Sequence, residues 1–175
     1  MRPPKKLNSE SELYTSALRI LMRRGHSVHE IRVALERRCD DKAMVRAVVE
    51  RLKREQLVDD ARYAAEFARS RARNRKQGKF RIARELRARG VPDRHVETAL
   101  EGTFAETDEA ALLRKRIEQK LRLVRGPLDE KKRASLYRSL MMAGFSGEMI
   151  RREMKRVVNG AIEELPEADS QGDGE

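Results

Sequence analysis

The chain has 175 residues, with 40 Lys+Arg against 29 Asp+Glu and a formal net charge of +11, giving a pI near 10.2. That length suits one ordinary domain or a few very small units, and the basic balance implies a polyanionic partner. The single cysteine, Cys39, excludes a disulfide framework and a multi-cysteine zinc module. No run reaches the roughly 18 apolar residues of a transmembrane helix. The opening Met1-Arg-Pro-Pro-Lys-Lys leads into Asn8-Ser-Glu-Ser-Glu12, not into the apolar stretch of a secretory signal. A soluble protein of the reducing cytoplasm is expected.

In chain order, residues 1–9 read as a basic arm, and three helical units follow at 10–58, 60–102 and 107–159. The prolines and nearly all glycines fall between periodic apolar segments, and the segments use good helix formers. No stretch alternates apolar and polar as a half-buried strand does. In the first unit, Ser9 and Ser27 stand three residues before Glu12 and Glu30, the spacing of a capping box. Asp59-Asp60, Thr107-Asp108-Glu109 and Ser146 each precede an apolar-periodic run, where helix N-caps belong. Gly90 and Gly144 stand where a left-handed residue ends a helix.

An internal repeat emerges when apolar pairs four apart are aligned. Ile31/Leu35 is followed by Val45/Val49, Ile82/Leu86 by Val96/Leu100, and Leu136/Leu140 by Ile150/Met154. The turn between the pairs holds Cys39, Gly90 or Gly144. Upstream amphipathic segments, Leu13/Ala17/Leu21, Tyr63/Phe67 and Leu113/Ile117/Leu121/Val124, make each unit three helices. Units of about 50 residues bury too little surface to be robust alone. The expected fold is therefore all-α: three tandem three-helix repeats stacked into an elongated body. Residues 160–175 form an acidic tail without a basic residue, expected to be disordered and read either as solubilising or as a mimic of DNA.

Charge is densest from Arg69 to Arg89, where ten Lys/Arg meet one acid, Glu85. Arg62, Arg69, Arg73 and Lys76 fall on one helical stripe. Such density self-repels unless a partner uses it, and it sets affinity and salt dependence rather than base specificity. Catalytic chemistry is not expected. His26, His29, His95 and Cys39 lack the paired spacings of metal sites, and Gly78-Lys79 lacks the flanking residues of a phosphate loop. No cofactor and no metal are expected, and Tyr63, Phe67, Tyr137 and Phe145 are read as core packing. A helix-turn-helix regulator, a sequence-non-specific DNA- or RNA-binding helical protein and a purely structural adaptor are the competing readings.

Four stretches carry a family resemblance. They are Arg23-Arg-Gly-His-Ser-Val-His-Glu-Ile-Arg-Val-Ala-Leu35, Leu57-Val-Asp-Asp-Ala-Arg-Tyr-Ala-Ala-Glu-Phe67, Gly78-Lys-Phe-Arg-Ile-Ala-Arg-Glu-Leu-Arg-Ala-Arg-Gly-Val91, and Leu136-Tyr-Arg-Ser-Leu-Met-Met-Ala-Gly-Phe-Ser146 with Ile150. In order and spacing they resemble the RecX family, regulators of the RecA recombinase, over about residues 10–158. Residues 1–9 and the acidic tail fall outside the resemblance, and Met142-Ala143 replaces the arginine that often precedes Gly144. The resemblance implies three tandem three-helix repeats in a curved body. It further implies binding to RecA and the RecA–DNA filament and inhibition of the recombinase; single- or double-stranded DNA is a further candidate partner, and a monomer is expected. On that basis Arg69, Arg71, Arg73, Arg75, Lys76, Lys79, Arg81 and Arg84 are expected to face RecA or its DNA.

Overall fold

A computed structural model describes the backbone of residues 6–163 and the side chains of residues 6–157. Within that range the chain is all-helical. Helices α1 (Glu10–Leu21), α2 (Val28–Glu36) and α3 (Lys42–Arg54) pack on one another. So do α4 (Asp60–Arg75), α5 (Lys79–Ala88) and α6 (Asp93–Glu106), and then α7 (Glu109–Leu121), α8 (Glu130–Met142) and α9 (Gly147–Glu163). The first five residues of the basic arm, and the acidic tail from residue 164, lie outside the described residues.

Local chemistry sets the helix ends. The Ser27 hydroxyl accepts from the Glu30 N–H while the Glu30 carboxylate accepts from the Ser27 N–H, a complete capping box. Ser9, Asp41, Asp59, Asp108 and Asp129 cap α1, α3, α4, α7 and α8 with their side-chain oxygens, and the Ser146 hydroxyl accepts from Met149 N–H at the start of α9. Gly90 and Gly144 take φ of +70° and +94°. The next residue in each case bonds back across the turn, Val91 to Leu86 and Phe145 to Leu140, and buries its side chain against the helix just ended. Cys39, at the equivalent place in the first repeat, makes a plain helical bond to Leu35 instead.

Three local expectations change. Helix α4 stops at Arg75, and Lys76 turns left-handed (φ +47°), so it leaves the basic stripe. Helix α6 continues past Leu100 to Glu106, because Thr103 stays buried and a helical glycine at Gly102 costs only about 1 kcal/mol. Helix α7 ends before Val124.

The apolar repeat positions face inward, all buried except Leu100 and Met154, which are half-buried. Leu13, Ile31, Leu35, Val45, Val48 and Leu52 form the core of the first repeat. The second and third repeats share one core, running from Ala64, Ala68 and Ala72 on α4 through Ile82, Leu86 and Val96 to Ile117, Leu140, Phe145 and Ile150. The alanine row at every fourth position lets α4 lie close against α6. Each fully buried leucine or isoleucine contributes about 1.5–3 kcal/mol.

The repeats are joined by the ends of their second helices. Helix α5 has no side-chain cap of its own. Its orphan donors are met from the third repeat: Gly78 N–H by Ala143 O at 2.9 Å, Phe80 N–H by Gly144 O at 3.1 Å, and Lys79 N–H by the Glu109 carboxylate at 3.0 Å. At the other joint Ser27 Oγ donates to Arg89 O at 2.6 Å, and Val28 N–H donates to the Asp60 carboxylate at 2.9 Å. The two joints use matching positions: the helix-entry residues Ser27 and Gly78, the helix-exit residues Arg89 and Ala143, and the first-turn carboxylates Asp60 and Glu109. Helices α8, α5 and α2 thus meet C-terminus to N-terminus, opposite ends of their dipoles together.

Close approach makes glycine obligatory at the second joint. A Cβ on Gly144 would lie 2.4 Å from the backbone nitrogen of Arg81, and one on Gly78 would lie 2.3 Å from Gly144 O. Gly144→Ala should therefore destabilise the protein by about 2–4 kcal/mol, from left-handed strain plus overpacking. By contrast Gly102, where a Cβ would meet nothing within 4 Å, should gain up to about 1 kcal/mol on replacement by Ala. Urea unfolding followed by circular dichroism reads both. Asp60→Ala and Glu109→Ala should each cost about 1 kcal/mol in the same assay, the usual loss of a helix N-terminal cap, although neither residue caps its own helix.

Candidate interaction surface

The eight basic residues singled out from the sequence lie on α4, on the turn after it and on α5, and their surroundings divide them. Arg71 and Arg81 converge on Glu85, Nε to carboxylate oxygen at 3.2 and 2.9 Å. Arg81 also donates to Met142 O at 3.2 Å, across the second joint. Lys79 lies 3.9 Å from Glu109, whose side chain is almost fully covered. Arg73 approaches Glu106 at 3.7 Å in open solvent, where an ion pair contributes little. Arg69, Arg75, Lys76 and Arg84 pair with no described carboxylate. Arg69, Arg75 and Arg84 are exposed, whereas the Lys76 ammonium folds back onto Arg73 O.

Two further cations, outside the eight singled out from the sequence, shape this surface. Arg116 of α7 donates to Arg75 O at 2.8 Å and to Lys76 O at 3.3 Å, placing a guanidinium on the carbonyl end of α4. Burial and the neighbouring Arg81 charge press Arg116 below its ordinary value, yet a guanidinium stays protonated. Arg89 ends α5, with its guanidinium 4.9 Å from the Phe67 ring centre. Arg71 stands 4.7 Å from the same centre. Phe67 and Tyr63, expected as core, are half-buried and tilted against one another. Phe145 is fully buried, and Tyr137 is half-buried.

A cleft of about 360 Å³ opens beside Phe67 where the first repeat meets the second. Arg24, Arg71 and Arg89 line it, with Glu66, Tyr63 and Ser70. Behind it, Glu30 accepts from both terminal nitrogens of Arg24 at 3.2–3.3 Å, from Ser27 N–H at 3.2 Å and from the Tyr63 hydroxyl at 3.4 Å. Burial pushes the Glu30 carboxyl up, but Arg24, the Ser27 N–H and the nearby Arg89 charge together bring it below its ordinary value. Glu85 behaves alike: burial raises it, and Arg81, Arg71 and Gln77 more than offset that. Arg24 and Arg89 lie 65 positions apart in the sequence, so only the fold brings them to one cleft.

Among the described residues no group of His, Cys, Asp and Glu is placed to hold a metal ion. His26 bonds Arg24 O through Nδ1 at 2.8 Å, and the His29 ring fills the space that a Cβ on Gly90 would need. No helix among them is long and apolar enough to cross a membrane.

Because Glu30 and Glu85 titrate lower when folded, their stabilisation is fully present above the unfolded carboxyl value of about 4.3 and is lost as pH falls through the lower folded values. The thermal midpoint should therefore drop on acidification from pH 5 to pH 3. Glu30→Gln should be less stable than the parent at pH 7 and should lose part of that acid sensitivity, as thermal melts at the three pH values would record.

Comparison with known proteins now gives this surface a context. Residues 59–100, spanning α4, α5 and the first part of α6, match a family model described as RecX, second three-helix domain. A protein of Halorhodospira halophila named regulatory protein RecX is 39% identical over 137 residues, covering 78% of this chain and 82% of its own. One of Chlorobium phaeobacteroides with the same name is 30% identical over 148 residues, covering 85% of this chain and 95% of its own. Among solved structures, a regulatory protein RecX superposes with a TM-score of 0.71 at 22% identity, over 83% of this chain and 71% of that one. RecX from Lactobacillus salivarius superposes with a TM-score of 0.70 at 21% identity, over 86% of this chain and 97% of that one. Sequence identity at this level and over this share of both chains shows descent as well as fold: the chain belongs to the RecX family of regulatory proteins.

Proposed function

We propose that this protein acts in the cytoplasm, without catalysis of its own, by binding the RecA recombinase and the RecA–DNA filament. Binding inhibits filament extension, ATP hydrolysis and strand exchange, and so modulates recombination, DNA repair and the SOS response. A single copy suffices, because three units joined end to end offer a long surface to successive subunits of a polymer. The observation that carries this reading is that Arg69, Arg75, Lys76 and Arg84, all on the middle unit of that array, meet no carboxylate among the described residues, in a chain of a regulatory family. Arg71, Lys79 and Arg81 contribute in a second way. Their carboxylate partners hold the surface in shape, and they share their remaining charge with the partner.

The test is the single-stranded-DNA-dependent ATPase of RecA with substoichiometric amounts of this protein at two salt concentrations. Inhibition is expected well below one copy per RecA, and it should weaken at the higher salt as screening shortens the reach of the exposed charges. Arg69→Glu/Arg75→Glu/Arg84→Glu should lose inhibition by tenfold or more while keeping its helicity, because none of the three holds a described ion pair. Full inhibition by that variant removes the assigned surface. No effect of the parent on the ATPase, with tight binding to bare DNA, makes it a nucleic-acid-binding protein of the same fold.

A further inference from the structure

The joint between the second and third repeats carries a feature that charge does not explain. Phe80 opens α5 and is 58% exposed; Met141 and Met142 close α8 and are 45% and 62% exposed. The joint brings these helix ends together: Phe80 N–H donates to Gly144 O at 3.1 Å, and the Arg81 side chain donates to Met142 O at 3.2 Å. The other exposed large apolar residues, Met22, Leu57 and Leu123, stand singly at other places in the chain. Single exposed apolar residues are ordinary, but a group of three assembled from two repeats is the pattern of a docking site.

The sequence on either side of this group is cationic, and the nearest exposed carboxylate, Glu148, follows Gly147, which packs beside Met141. Every charged residue within four positions of Phe80, Met141 or Met142 is basic: Lys76, Lys79, Arg81, Arg84 and Arg138. The carboxylates that reach the area, Glu85 and Glu109, are largely covered and already paired with Arg71, Arg81 and Lys79. Exposed Phe and Met with Arg and Lys as their chain neighbours have the composition of a protein–protein interface core and its rim.

We infer that Phe80, Met141 and Met142 form a docking site for an acidic protein segment that inserts an apolar side chain between them, its carboxylates meeting Arg84, Arg138 and Lys76. Resting on the function proposed above, the segment belongs to the recombinase. Charge complementarity requires the acidic partner, and two thioethers beside one ring favour a side chain over a nucleobase. Methionine adapts to irregular apolar shapes, whereas successive bases stack on successive aromatic faces. Among the described residues Phe80 is the exposed aromatic of this surface; Tyr63, Phe67 and Tyr137 are half-buried.

The experiment compares the parent chain with Phe80→Ser/Met142→Gln and with Met142→Gln alone. Each is titrated against DNA-free recombinase, against the recombinase filament and, separately, against a fluorescent oligo-dT. Both side chains concerned are exposed, and circular dichroism checks that helicity is kept; Met142→Gln, a helix-compatible change that leaves the Arg81 bond to the Met142 carbonyl in place, serves if the double variant misfolds. The expected result is at least tenfold weaker binding of the double variant to both forms of the recombinase, an intermediate loss for Met142→Gln, and unchanged affinity for oligo-dT. Parent-like recombinase binding by both variants overturns the docking site and leaves the proposed function standing. A selective loss on oligo-dT overturns it in favour of a base-stacking role for Phe80. A parent chain that binds neither form of the recombinase removes the proposed function, and this inference with it.

Discussion

A helix cannot satisfy its own first N–H groups or its own last carbonyls, and this protein turns that deficit into the joint between its repeats. The free carbonyls at the end of α8 lie on the free N–H groups at the start of α5, and the end of α5 lies on the start of α2. A carboxylate from the first turn of α4 or α7 completes each contact by accepting from the leading N–H of α2 or α5. Most surface residues tolerate change, but at the second joint these few positions tie backbone to backbone, and at the first the Ser27 side chain ties α2 to the Arg89 carbonyl. The left-handed glycines at 90 and 144 follow from that contact, because a Cβ at either would collide with the neighbouring repeat.

The two joints share a plan and differ in what backs them. Behind the second lies a continuous apolar core, so that Ala64 of α4 and Ile150 of α9 belong to one packed interior. Behind the first, the repeats keep separate cores, and Glu30 gathers Arg24, Ser27 and Tyr63 instead. Apolar burial is non-directional and holds over a wide pH range, whereas a carboxylate network depends on its charge. The second and third repeats therefore share one packed interior, and the first is tied to the second by hydrogen bonds, Ser27 to Arg89, Val28 to Asp60 and Tyr63 to Glu30.

The basic middle of the chain serves two purposes at once. Arg71, Arg81 and Lys79 spend part of their charge on Glu85 and Glu109, and Arg116 spends its own on the carbonyl end of α4. Arg69, Arg75 and Arg84 remain in solvent without a described partner. A count of lysines and arginines treats all of these as equal. Their position relative to the joints separates those that build the array from those left to meet something else.

Much of this was legible in the residues. The periodic pairs Ile31/Leu35, Ile82/Leu86 and Leu136/Leu140, with the caps at Ser27, Asp59 and Asp108 and the glycines at 90 and 144, are local features. Helix periodicity, capping and left-handed turns depend on residues within a few positions of one another, and so the sequence by itself determined nine helices in three matching groups over the described residues. What it left open involves partners far apart in the chain. Asp60 and Glu109 read as part of their own helix starts, yet they cap α2 and α5 of the preceding repeat. Lys76 fits a stripe on paper but turns left-handed where α4 ends, and Phe80 looks like one more apolar residue until the close of α8 is set beside it. Which helix end meets which, which cations are consumed and which apolar groups stay uncovered were decided only by the tertiary structure, because each depends on how separate helices pack, at the joints between residues roughly 30 to 65 positions apart.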